Sequence, residues 1–328
     1  MIELCKITKS YGSTTAVDDI SLSIHKNETF GLIGTSGSGK TTTLKMINRL
    51  IEPTSGSIIY NGQDITKLDP VRIRRQIGYV IQDTGLFPHY TIEENIAVVP
   101  KLLNWNNEKI SKRVHFLLRL VGLPPDDFKN RYPHELSGGQ QQRIGLARAL
   151  AADPPLILLD EPFGALDPIT RHQIRKEFKE LEKQIQKTMV LVTHDVFEAF
   201  DLCDRIALLD QGKLQQIGTP FDLIFKPANA FCKDFFQANR FQLELSILSL
   251  KDLFPHLHNV VDLKHCDYTF SLQASLLEVF QSLKNIDEAT CIQIIDHKEE
   301  TIGYFSAQDV IRSFYDLKRR FSNTRMAK

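Results

Sequence analysis

Between Thr29 and Leu209 the chain repeats one unit: a short apolar run, a polar loop, then a segment with apolar residues at helical spacing. Short continuous apolar runs suit strands covered on both faces, so the alternation predicts an α/β domain with a mostly parallel core sheet. Residues 29–33 read as a strand, a glycine-rich loop follows, and a helix runs from Lys40 to Leu50 before Pro53 and Gly56 close the segment. Upstream, residues 1–12 alternate apolar and polar positions like a first strand. Residues 57–60 and 63–65 flank Asn61-Gly62, whose tolerance of positive φ suits a two-residue hairpin. These segments predict a β-rich subdomain beside the core sheet.

Ile110, Val114, Leu117, Leu118 and Val121 mark one face of a helix closed by Gly122, Pro124 and Pro125, predicting a helical insert. Ile174, Phe178, Leu181 and Ile185 mark a second amphipathic helix, followed by a strand at 189–192; both stripes are core-packing faces. Gln237-Ala238-Asn239-Arg240 interrupts the pattern, so the first domain is expected to span 1–236. Farther on, 290–295 and 301–305 read as paired strands around a turn at 297–300, and Ser306 is placed to cap a helix through Leu317.

With 40 basic and 40 acidic residues the net charge is zero, which argues against a nucleic-acid binder that works through a large positive field. At 328 residues, 42% hydrophobic and 24% charged, the composition excludes disordered and disulfide-stapled classes. Cys5, Cys203, Cys232, Cys266 and Cys291 form no C-x-x-C pair, and a reducing cytosol fits them. No secretion signal is visible. The strongest apolar runs, 156–159 and 189–192, fall far short of the roughly 20 residues a membrane-crossing helix needs.

The chemistry concentrates in three places. Gly34-Thr35-Ser36-Gly37-Ser38-Gly39-Lys40-Thr41 satisfies G-x-x-x-x-G-K-[ST] and lies between a predicted strand and a predicted helix, the context that pattern requires. Glycines let backbone N–H groups curl around phosphate oxygens, the helix N-terminus adds its dipole, Lys40 supplies a cation and the Thr41 hydroxyl can ligate Mg²⁺. A nucleoside triphosphate with Mg²⁺ is the ligand this loop predicts. Leu156-Ile157-Leu158-Leu159-Asp160-Glu161 delivers two carboxylates to a strand end. Asp160 is expected to hold the metal, and Glu161 to orient or deprotonate the attacking water. Leu136-Ser137-Gly138-Gly139-Gln140 then offers a second anion-binding helix start, followed by a helix at 141–152.

This set resembles the ATP-binding cassette ATPases over about residues 1–236. The resemblance implies a P-loop NTPase cassette with a β-rich subdomain and a helical insert. It also implies a head-to-tail homodimer in which the Ser137–Gln140 signature of one subunit closes on ATP held by the other. Nucleotide contacts are implied for Tyr11 against adenine, for the 34–41 loop and Thr42, for Gln82 near the metal, and for Asp167 in the loop Gly164-Ala165-Leu166-Asp167. His194 matches the switch histidine that senses the γ-phosphate.

One phosphate loop and one signature, with no coiled coil between them, point away from translation and DNA-repair cassettes and toward a transporter subunit. Residues 82–100 and 42–50 are similar to ATPases of importers for quaternary amines such as glycine betaine, carnitine and choline. An importer of another small molecule, an amino acid or a polyol, is the main alternative, and a soluble non-transport cassette the rival class. The implied partners are integral membrane permease subunits and a separate substrate-binding protein. The implied location is the cytoplasmic face of the inner membrane, as a peripheral subunit. Residues 271–315 resemble a CBS domain, with Gly303-Tyr304-Phe305-Ser306-Ala307-Gln308-Asp309 as its closing strand-to-helix pattern. Residues 237–270 are then a linker or a degenerate first copy, and 271–328 a CBS-like module with a basic tail.

Overall fold

The computed structural model describes residues 1–82, 85–164, 166–258, 266, 268–283 and 290–323, without the side chains of 322 and 323. Asp83, Thr84, Ala165, the later part of the expected linker and the tail residues Arg325 and Lys328 lie outside the described residues. The chain divides into two compact units, 1–219 and 220–328.

In the first unit, Thr29–Gly34 lies between Arg205–Asp210 and Thr188–Val192. Leu156–Asp160 and then Ile77–Val80 extend the same six-stranded sheet, and all these pairs are parallel. Only the edge strand Lys213–Gly218 is antiparallel. The inner strands 156–160 and 188–192 are buried at every position, as uninterrupted apolar runs demand. A second, antiparallel sheet orders Thr14–Ile24, Ile2–Tyr11, Ser55–Tyr60 and Gln63–Asp64. Its hairpin turns through Asn61 and Gly62, both at positive φ. Residues from both sheets, among them Ile2, Ile20, Ile58, Phe30, Leu158 and Val190, share one core with the helix Lys40–Ile47. The helical insert comprises Ile92–Leu102, Asn107–Leu120 and the signature helix Gly138–Leu150. Among the described residues no helix is long and apolar enough to cross a membrane.

The second unit starts earlier than the polar interruption at 237–240 suggests. Pro220–Phe225 belongs to it because Phe221 and Phe225 pack their rings on Phe321, with centroids 5.2 and 4.9 Å away, and Arg240 donates to the Ile224 carbonyl. Residues 240–253 are packed structure rather than linker: Arg240–Ile247 and Leu250–Leu253 are helices, with Leu243, Leu250 and Leu253 fully buried. The fully buried Glu244 carboxylate is paired with Arg240 at 2.8 Å and with Lys318. Beyond them, Tyr268–Ser271 runs parallel to Cys291–Ile295, which pairs antiparallel with Thr301–Ser306. Ser306 caps the last helix, accepting from the Asp309 N–H at 3.1 Å, and that helix, Ala307–Asn323, continues past Leu317. The side chains of Cys266 and Cys291 come together, with Cα atoms 4.8 Å apart, a proximity their spacing does not reveal.

Candidate nucleotide site

The glycine-rich loop leaves the central strand Thr29–Gly34 and enters the helix Lys40–Ile47. Gly34, Gly37 and Gly39 all sit at positive φ. A Cβ on Gly34 would lie 1.9 Å from the Leu209 carbonyl, and one on Gly39 2.4 Å from the Ala16 carbonyl, whereas Gly37 faces open space. The loop is therefore pressed against the protein at two points and open at its crest, with Ser36 exposed there and Ser38 buried beneath. Thr35 fixes one side by donating to Asp210 at 2.7 Å. Lys40 is 8% exposed; its Nζ donates to the Gly34 and Thr35 carbonyls at 3.0 and 2.8 Å and to Ser38 Oγ at 3.4 Å. Burial holds its pKa below the ordinary lysine value, with the Glu161 charge opposing that shift. Thr42 is half-buried one step along the helix.

Asp160 ends the buried strand Leu156–Asp160, separated from the central strand by Thr188–Val192, and is 5% exposed. Its Oδ1 accepts from Thr41 Oγ1 at 3.1 Å and its Oδ2 from the Tyr79 hydroxyl at 3.2 Å. Burial pushes its pKa up; the two hydroxyl donors act in the opposite direction. Glu161 turns sharply with φ 47°, its N–H bonded to the Val192 carbonyl at 2.9 Å. That turn aims its carboxylate at two sequence-predicted partners: Gln82 Nε2 at 3.3 Å and His194 Nδ1 at 3.1 Å. Thus Lys40, Thr41, Asp160, Glu161, Gln82 and His194, scattered over more than half the first unit's sequence, meet where parallel strands end, the usual ligand crevice of such sheets.

The donor set fits a magnesium–triphosphate. A neutral hydroxyl and a carboxylate adjoin at Thr41 and Asp160, Mg²⁺ keeps water and phosphate oxygens for its other positions, and the loop crest leaves room for backbone N–H groups to meet phosphate. Tyr11 is half exposed, with Lys9 Nζ over its ring 5.0 Å from the centre. Ser137 caps the signature helix: its Oγ accepts from the Gln140 N–H at 3.3 Å and its own N–H donates to Gln140 Oε1 at 3.0 Å. Ser137 and Gly138 face outward, while Gly139 packs against Thr170 and Ile174. Among the described residues, the hydrogen bonds of the Ser137 and Gln140 side chains stay within this cap and join nothing in the 34–42 loop. Asp167 likewise caps Pro168–Ile185, accepting from the Thr170 N–H at 3.1 Å; the Thr170 side chain first, and then that N–H, lower its pKa.

A family model described as ABC transporter matches residues 17–164. The osmoprotectant import ATP-binding protein OsmV of Salmonella typhimurium is 43% identical over 314 residues, 94% of this chain and 80% of that protein. The chain belongs to the ABC transporter family. The glycine betaine/carnitine/choline transport ATP-binding protein OpuCA of Bacillus subtilis is 56% identical over 241 residues, 73% of this chain, and the match spans 63% of OpuCA's length. Among solved structures, the dimeric structure of the ABC transporter cassette MJ0796 superposes with a TM-score of 0.60 at 37% identity, covering 67% of this chain and 98% of that one.

Within this ABC cassette, motif reasoning missed some supporting residues. Asn95 is fully buried, accepts from the Phe87 N–H and donates to the carbonyls of Phe87, Tyr90 and Thr91, so one amide shapes the loop that exposes Phe87 and Tyr90. Arg148, near the end of the signature helix, donates to the Gly85 carbonyl at 2.6 Å and ties that helix to the loop after Gln82. Tyr79 was missed as well. Gly39→Ala is expected to cost roughly 1–3 kcal/mol of stability, because it adds a strained φ of +94° to a clash with backbone. Chemical denaturation of the purified protein would measure it; an unchanged midpoint would mean the loop is free to move away from Ala16.

Proposed function

We propose that this chain is the ATP-hydrolysing subunit of a membrane importer for quaternary-amine osmoprotectants of the glycine betaine, carnitine and choline type. The observation that carries the hydrolytic reading is the convergence of Gln82 and His194 on one Glu161 oxygen beside the Thr41–Asp160 pair. The similarity to OpuCA, named for glycine betaine, carnitine and choline, and to OsmV, named for osmoprotectant import, carries the cargo.

In this reading the 34–41 loop and Lys40 hold the phosphates, and Thr41, Asp160 and Gln82 hold Mg²⁺, which neutralises phosphate charge. Glu161 orients the attacking water and takes its proton. His194, a hydrogen-bond partner of the same carboxylate, registers whether the γ-phosphate is present. Tyr11 stacks on adenine. Ser137, Gly138, Gly139, Gln140 and Asp167 act across a head-to-tail homodimer, in which each exposed signature cap closes on its partner's nucleotide. The exposed aromatics Phe87 and Tyr90, held by Asn95 near the Gln82 loop, form the docking surface for integral membrane permease subunits at the cytoplasmic face of the plasma membrane. A separate binding protein selects the cargo. Residues 271–328 serve as a CBS-like regulatory module with a basic tail; the three-stranded sheet, parallel then antiparallel, supports that assignment.

Uptake of labelled glycine betaine, carnitine and choline at low and high osmolarity tests the assignment in cells lacking this chain, restored with wild type or Lys40→Ala. Rescue by wild type alone is expected for at least one substrate. Uptake that depends on the chain for none of the three would overturn the osmoprotectant assignment and favour an importer of amino acids or polyols.

A further inference from the structure

We propose that Tyr79 is a positioning residue: its hydroxyl anchors one oxygen of Asp160 so that the other stays turned toward Thr41 and the divalent cation. The proposal rests on the magnesium–triphosphate reading of this site.

The register makes the contact a property of the fold. Tyr79 pairs with Leu158 across the parallel strands Ile77–Val80 and Leu156–Asp160. Side chains alternate faces along a strand, so Tyr79, Leu158 and Asp160 project from the same side of the sheet. Tyr79 also packs against the main hydrophobic core, which restricts the ring. Its hydroxyl reaches Asp160 Oδ2 at 3.2 Å.

An aspartate carboxylate rotates in a broad, roughly two-fold well, so one hydrogen bond does not fix its plane. Thr41 holds Oδ1 at 3.1 Å, but that hydroxyl is itself a cation ligand in the proposed site. A cation would take a lone pair of Thr41 Oγ1 and leave its O–H on Oδ1, so the plane of Asp160 is fixed only with Tyr79 holding the second oxygen. A donor to a charged acceptor in a nearly dry setting is among the stronger hydrogen bonds a protein makes. Tyr79 also lies three residues before Gln82, on the strand Ile77–Val80 that leads into the Gln82 loop, so that strand is tied directly to the metal-side carboxylate.

The test is a Mg²⁺ titration of fluorescent-ATP binding to the full chain, in wild type, Tyr79→Phe and Tyr60→Phe. Tyr60 is the matched control, because its hydroxyl is also buried but has no hydrogen-bond partner among the described residues. Tyr79→Phe is expected to raise the Mg²⁺ concentration for half-saturation by roughly 10- to 150-fold, the range for losing a hydrogen bond to a charged group. Affinity measured in EDTA should stay unchanged, and Tyr60→Phe should match wild type. Identical Mg²⁺ curves for Tyr79→Phe and wild type would overturn the proposal, as would an equal loss of affinity in EDTA, which marks a merely structural effect. If Tyr79→Phe is unstable, Tyr79→Met fills similar volume without a donor and gives the same reading. A wild-type protein whose nucleotide binding ignores Mg²⁺ would instead overturn the site reading beneath.

Discussion

Glu161→Gln is expected to bind ATP about as tightly as wild type while turnover falls by roughly 10²- to 10⁴-fold, the usual contribution of a positioned general base. The replacement keeps the length and shape of the side chain. The turn at φ 47° and the backbone bond to Val192 remain, since neither involves the carboxylate. The amide oxygen can still accept from Gln82 or His194, so the loop should hold its place. Only the capacity to take a proton is lost. With hydrolysis stalled, an ATP-bound dimer should accumulate and elute earlier on gel filtration with ATP than with ADP. Normal phosphate release from the variant, with only monomer in ATP, would remove Glu161 from the reaction.

The residues of this site differ sharply in how far the sequence discloses them. Gly34, Lys40, Thr41, Asp160 and Glu161 are legible because phosphate and metal chemistry admits few residue types, and because each lies where an apolar strand ends. His194 and Gln82 are weak signals alone, and the structure brings both onto one Glu161 oxygen. Tyr79 is invisible to motif reasoning. Its strand, Ile77–Val80, is four residues long and contains a glycine, and its role depends on a neighbour some eighty residues away. Glu244 misleads in another way: a glutamate in a helix reads as solvated until Arg240 and Lys318 enclose it. The unit boundary was displaced for a similar reason. Polar residues at 237–240 look like a break, whereas the aromatic contacts of Phe221 and Phe225 with Phe321 bind residues distant in sequence. Local composition records turns and strands; it does not record which side chains meet.

Lys40→Ala should separate binding from stability, because the lysine is held against its own solvation. Its ammonium is almost wholly buried among the Gly34 and Thr35 carbonyls and Ser38 Oγ, and burial depresses its pKa. A lysine whose folded-state pKa is lowered destabilises the fold at pH values below its unfolded pKa, so at neutral pH the charge is a burden to the empty protein. Removing it should therefore leave the melting point of the empty protein unchanged or slightly higher. Phosphate oxygens, by contrast, are the partners that repay the buried charge. Losing one or more charged hydrogen bonds, at about 1.5–3 kcal/mol each, should weaken ATP binding by roughly 100-fold. The nucleotide-induced rise in melting temperature should disappear at ATP concentrations that shift the wild type. A fluorescent-nucleotide titration and a thermal scan with and without Mg²⁺–ATP measure both quantities on the same sample. A lower melting point in the empty variant, with its nucleotide shift intact, would make Lys40 a structural strut of the loop; the opposite pattern is what a phosphate-binding cation requires.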